Sequence, residues 1–138
     1  MKKKDNFFSN KKILIYGLGK SGFASLNFLK DNNKVYVFDD YKINSKLDEI
    51  KKRQIEYKKI DYYKFDIIII SPGIDILNCK ISKFLSKNKN KIITDLDVFY
   101  KCNPNNICIT ITGTNGKSTT CKILNNVLQD QKFDSRLV

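Results

Sequence analysis

Lys12-Ile13-Leu14-Ile15-Tyr16-Gly17-Leu18-Gly19-Lys20-Ser21-Gly22 carries three signals in eleven residues. The run from Lys12 to Tyr16 is apolar, too short for a helix and closed by glycine, so it reads as a strand buried on both faces. Gly17 to Gly22 then spells G-x-G-x-x-G. From Ser21 to Asp31, Phe23, Leu26 and Leu29, with Ala24 and Phe28, recur at helical spacing and end at Asn32-Asn33. Strand, glycine turn and helix together open a βαβ unit, in which the first N–H groups of the helix can face an anion.

The same grammar repeats outward. Val35-Tyr36-Val37-Phe38 reads as a second strand ending in Asp39-Asp40, and Ile67-Ile68-Ile69-Ile70 as a third, stopped by Ser71-Pro72-Gly73. Ile92-Ile93-Thr94 is a fourth. Between them lie a weaker, Lys-rich helix from Leu47 to Ile55 and a helix around Lys80 to Lys87. A short helix from Asp95 to Tyr100 follows, capped by Thr94 or Asp95. Strands that are apolar throughout and alternate with helices predict a parallel sheet covered on both faces. Residues 1–103 are read as this domain.

Cys102-Asn103-Pro104-Asn105-Asn106 reads as a linker. Beyond it, Ile107-Cys108-Ile109-Thr110-Ile111 is predicted to be a buried strand leading into a second glycine loop, Gly113-Thr114-Asn115-Gly116-Lys117-Ser118-Thr119. A helix from Lys117 to about Gln129 carries Ile123, Leu124, Val127 and Leu128 on one face, and Ser135 to Val138 reads as the start of another strand. The expected fold class is therefore α/β. A Rossmann-like parallel-sheet N-terminal domain is followed, over residues 104–138, by the first strand, P-loop and helix of an incomplete P-loop ATPase domain.

The chemistry of the second loop is phosphate binding. Glycines allow torsions closed to other residues, so successive N–H groups can turn toward one anion. Lys117 is placed to reach the outer phosphates of ATP, and Ser118 to offer its hydroxyl to Mg²⁺. The match to G-x-x-x-x-G-K-[ST] is loose at one end, since Ile111 stands where the first Gly belongs. In the first loop, Asp39 follows at the spacing the dinucleotide fingerprint asks of its ribose-binding carboxylate. Ligands of open parallel sheets sit at the carboxyl ends of the strands. Gly17–Gly22, Asp39-Asp40 and Ser71–Gly73 would gather there and suit a nucleotide diphosphate. A NAD-dependent oxidoreductase and a non-catalytic nucleotide-binding module are the rival classes.

The net charge of +12 comes almost wholly from scattered lysines, Arg53 and Arg136 being the arginines. Nucleic-acid interfaces favour Arg forks, so no nucleic-acid partner is expected. With no His in the chain, Cys79, Cys102, Cys108 and Cys121 form no C-x-x-C pair and no zinc signature. They are expected to be buried, reduced thiols of a cytoplasmic protein. No segment is long and apolar enough to span a membrane. Met1-Lys2-Lys3-Lys4 lacks the apolar run of a signal peptide.

Gly17–Gly22, Ser71-Pro72-Gly73-Ile74 and Thr112–Thr119, in that order, resemble the Mur ligases of peptidoglycan synthesis. The likeness runs from Lys11 to the last residue and covers the N-terminal third of such an enzyme. It favours the D-glutamate-adding branch: the alanine-adding branch usually has His where Asn115 stands, and folylpolyglutamate synthases usually have Gly-Ser after the loop lysine rather than Ser118-Thr119. The resemblance implies a monomeric ligase whose substrates are UDP-N-acetylmuramoyl-L-alanine, D-glutamate and ATP. An acyl phosphate forms and is attacked by the amine of D-glutamate. Gly19, Lys20, Ser21, Asp39, Asp40, Ser71 and Gly73 would contact the UDP substrate, with Lys20 and Asp40 departing from the family's usual residues. Gly113 to Thr119 would hold ATP, Lys117 would be the catalytic group, and Ser118 would supply part of the Mg²⁺ site. The family's other Mg²⁺ ligands and its amino-acid-binding domain belong beyond Val138, so the 138-residue chain is expected to be inactive alone.

Overall fold

Every apolar strand residue finds cover because the sheet is packed on both sides. The computed structural model describes residues 6–41 and 48–137. Strands β1 (Lys12–Tyr16), β2 (Lys34–Phe38), β3 (Ile67–Ile70) and β4 (Ile92–Thr94) form one parallel sheet in the order β2-β1-β3-β4. Leu14 lies opposite Tyr36 on one side and Ile68 on the other. The helices are α1 (Lys20–Leu29), α2 (Asp48–Arg53), α3 (Ser82–Lys87), α4 (Asp95–Cys102) and α5 (Lys117–Asp130).

Side chains alternate across the sheet, as the strand period requires. Ile13, Ile15, Val35, Val37, Ile67 and Ile69 pack on one face with Leu26 and Leu29 of α1, Ile50 of α2 and Val98 of α4. Leu14, Tyr16, Phe38, Ile68 and Ile70 pack on the other with Ile60, Phe65, Ile81, Phe84 and Leu85. Each aliphatic side chain so buried contributes about 1.5–3 kcal/mol. The strand order carries the functional consequence. The chain leaves β1 toward β2, then crosses back to β3 on the other side. Connections therefore diverge at the carboxyl ends of β1 and β3, the switch point where such sheets leave a crevice.

Local departures from the sequence reading have local causes. The buried face of α1 is Gly22, Ser25, Leu26 and Leu29, so Ala24 lies outside and Phe28 is 47% exposed. The predicted start of α2 at Leu47 lies outside the described residues. The helix ends at Arg53, before the predicted Ile55, because Ile55 turns its N–H to the Val37 carbonyl (2.9 Å) instead of continuing the helix. A short 3-10 helix, Tyr57–Tyr62, was not signalled by the sequence: it buries only Ile60 and shows no amphipathic repeat. α4 starts at a capping box in which Asp97 N donates to Thr94 Oγ1 and Thr94 N to Asp97 Oδ2.

The chain divides into two compact units, the first ending at Pro104 and the second beginning at Asn105. In the second unit the predicted strand is not formed. Residues 107–111 make no sheet pairing, and Ile107 is 93% exposed. A strand needs a neighbour for its N–H and C=O groups, and no other strand is present among the described residues of this unit. Ser135 to Leu137 is likewise irregular; Val138 lies outside the described residues. Helix α5 forms as read, but Ile123 and Val127 are more than half exposed, and no described residue from Asn105 to Leu137 is buried.

Candidate functional site

The glycines of the first loop divide into two kinds. Gly17 has φ +91°, a torsion that L side chains rarely adopt, and a Cβ there would meet Ser71 Cβ at 2.9 Å. A Cβ on Gly22 would lie 1.9 Å from the Gly17 carbonyl oxygen. These two glycines allow the loop and α1 to close onto the strand. Gly19 is different: no protein atom comes within 4 Å of its would-be Cβ, and the same is true of Gly73. Gly19 is also the N-cap of α1 and supplies no side-chain acceptor to the first helical N–H groups. The loop thus turns a bare helix start toward open space at the switch point, the arrangement that suits an anionic group.

The three loops at this edge are cross-tied. Ser71 Oγ donates to the Gly17 carbonyl (2.8 Å), and Ser71 N to the Tyr16 carbonyl (3.0 Å). Asp39 Oδ2 accepts from Leu18 N (2.7 Å), and its Oδ1 from Tyr41 N (3.0 Å). Asp40 Oδ2 accepts from the Tyr16 hydroxyl (2.8 Å), while Lys80 Nζ donates to the Asp40 carbonyl. Burial first, then Cys79 and Asp40, raise the Tyr16 phenol above its ordinary pKa, so it is a hydrogen-bond donor throughout the working range.

Gly19, Lys20, Ser21, Asp39, Asp40, Ser71 and Gly73 therefore gather at one sheet edge. Their chemistry is not uniform. Ser71 Oγ, both carboxylate oxygens of Asp39 and Asp40 Oδ2 are engaged with protein groups, whereas Gly19 and Gly73 face open space. Tyr16 and Lys80, which join this network, were missed by sequence reasoning. The available signal was a single hydroxyl-bearing residue at the end of an otherwise aliphatic strand.

In the second unit, Gly116 is the N-cap of α5 with φ +78°. Lys117 Nζ bridges back over the loop, donating to the carbonyl of Gly113 and, at 3.4 Å, to that of Thr114. Ser118 and Thr119 stand exposed in the first turn of α5. None of the four cysteines is buried as expected: Cys79, Cys102 and Cys121 are half-buried, and Cys108 is exposed, because the strand that would have covered it is not formed. Among the described residues no group of three His, Cys, Asp or Glu side chains could hold a metal ion, and no helix is long and apolar enough to cross a membrane.

A parallel sheet with a glycine loop at its switch point defines a Rossmann-like α/β domain. Residues 11–93 match the family described as Mur ligase MurD-like, N-terminal domain, and the chain belongs to that family. Among its relatives is the UDP-N-acetylmuramoylalanine–D-glutamate ligase of Francisella philomiragia, 36% identical over 137 residues, covering 96% of this chain and 30% of that protein. The ligases of the same name from Wolbachia pipientis wMel and Rickettsia prowazekii are 30% and 31% identical, covering 90% and 94% of this chain. The chain spans 25% and 29% of those two proteins' own lengths. No solved structure matches.

Proposed function

We propose that this chain is the N-terminal portion of an ATP-dependent amide-bond-forming ligase that adds D-glutamate to UDP-N-acetylmuramoyl-L-alanine in peptidoglycan synthesis. The observation that carries the reading is the glycine loop at the β1/β3 switch point, with Gly19 and Gly73 open above it, in a domain shared with proteins named for that reaction. Residues 1–103 would bind the UDP part of the substrate. The diphosphate would lie at the uncapped start of α1, beside Gly19, Lys20 and Ser21. Asp39, Asp40, Ser71 and Gly73 would shape the remainder of the pocket.

Residues 104–138 would contribute the start of the ATP-binding domain. Its loop suits a triphosphate: Gly116 adopts the left-handed torsion that turns N–H groups inward, and the Lys117 ammonium already sits against the loop carbonyls. Bound ATP supplies the phosphoryl group that activates the substrate carboxylate. Lys117 would neutralise charge on that group, the kind of electrostatic assistance that phosphoryl transfer relies on. The Ser118 hydroxyl would be one ligand of Mg²⁺, and the metal would need others, since no cluster of three His, Cys, Asp or Glu side chains stands among the described residues.

Isothermal titration of the chain with UDP, ATP and NADH tests the reading. Binding of UDP and of ATP, with no NADH binding, is expected. NADH binding without UDP binding would overturn it in favour of an oxidoreductase.

A further inference from the structure

Asp40 sits at the centre of a tie whose purpose is not explained by packing. Tyr16 is fully buried, yet its hydroxyl reaches the carboxyl edge of the sheet and donates to Asp40 Oδ2 at 2.8 Å. The other carboxylate oxygen, Asp40 Oδ1, is buried without a hydrogen-bond partner. The Asp40 carbonyl is held from a third direction by Lys80, in the segment that follows β3. A lone buried carboxylate oxygen is costly. An isosteric aliphatic pair in place of Tyr16 and Asp40 would avoid that cost. The neighbouring residues suggest what the network secures. Asp39, one residue before, accepts from Leu18 N inside the glycine loop and from Tyr41 N one residue after Asp40. Fixing Asp40 from both sides therefore fixes the Asp39 carboxylate, and with it the path of Gly17 to Gly19.

We propose that Tyr16 is a positioning residue for the nucleotide site. Through Asp40 it sets the turn after β2, and through Asp39 that turn sets the glycine loop over the start of α1. Asp40 then acts on the ligand through the loop rather than by touching it. The proposal rests on the reading that the switch-point edge binds the UDP part of the substrate.

The test is Tyr16→Phe in the whole chain, with UDP titrated by calorimetry and amide hydrogen exchange followed by NMR. Loss of the one hydroxyl is expected to weaken UDP binding about tenfold, the equivalent of one hydrogen bond. The Leu18 amide is expected to exchange at least about tenfold faster, while the amides of Leu14 and Ile15 in β1 keep their protection. Asp40→Ala is the second variant and should reproduce both effects. Asp40→Asn keeps an acceptor for the Tyr16 hydroxyl and should recover UDP affinity to within about threefold of the native chain. Native UDP affinity in Tyr16→Phe, or unchanged Leu18 exchange in both Tyr16→Phe and Asp40→Ala, would overturn the proposal. If the native chain fails to bind UDP, the functional reading fails, and Leu18 exchange still decides whether the tie exists.

Discussion

Residues 12–16 and residues 107–111 look alike in one dimension and behave oppositely in three. Each is an apolar pentad, each leads into a glycine loop, and each is followed by a helix. The first is a central strand with four of its five residues fully buried, the second is unpaired and, apart from the half-buried Ile111, exposed. The difference lies in the neighbours. β1 has β2 on one side and β3 on the other, with helices over both faces. Ile107 to Ile111 has no strand beside it among the described residues of its unit. Apolar pattern gives a segment the capacity to be a strand, and ladder partners decide whether it becomes one.

The largest expected effect breaks this comparison directly. Ile15→Ala removes a fully buried side chain and should cost about 2–5 kcal/mol of unfolding free energy. Ile109→Ala, at a residue 58% exposed, should stay within about 0.5 kcal/mol. Urea unfolding of the two variants checks the contrast, and equal losses would show that the second pentad is packed after all.

The glycine loops give the next contrast. Gly22→Ala forces a methyl into the Gly17 carbonyl and should lower stability by about 1–3 kcal/mol, read as a drop in Tm by circular dichroism. Gly19→Ala meets no protein atom, so its Tm should hold while UDP affinity falls, because the methyl occupies the space above the loop. A stability loss in Gly19→Ala as large as in Gly22→Ala would undo the distinction between loop closure and ligand access.

Gly116→Ala should cost about 1–2 kcal/mol locally, since φ +78° is a left-handed torsion. Helicity of α5 monitored by NMR shifts would show it. The smallest effect concerns the two helix starts with different caps. Thr94→Ala should cost about 1 kcal/mol, through loss of the capping hydroxyl of α4. The Thr94 N–H, then its hydroxyl, hold the Asp97 carboxyl below its usual pKa. That contribution is present above the ordinary carboxylate range and disappears as pH falls through the lowered value. The variant should therefore lose stability near neutral pH and show a shallower acid dependence. A Thr94→Ala chain with the native acid dependence would remove Asp97 from the account.

How much was legible follows from how much was local. The four strands were readable because a strand covered on both faces must be apolar at successive positions, and Ile67 to Ile70 admits little else. The first loop was readable because its glycines serve backbone torsion and close approach, which leave a spacing in the sequence. The 3-10 turn at Tyr57 was not, since a single anchor at Ile60 makes no repeat. The roles of Ser71, Asp39 and Asp40 were half legible. Their place at the sheet edge could be read, but not the carbonyl, amide and phenol that their oxygens meet. Tyr16 passed as one more apolar strand residue because nothing in one dimension shows where its hydroxyl ends.

By itself, then, the amino-acid order determined the four strands of the first unit, most of the helices, the parallel arrangement and the two glycine loops, because burial and backbone torsion act residue by residue. Only the tertiary structure decided that one apolar pentad would be a strand and its twin would not, and which polar groups at the edge hold each other. Hydrogen bonds between residues more than twenty positions apart depend on where the sheet brings their atoms, and no local pattern encodes that distance.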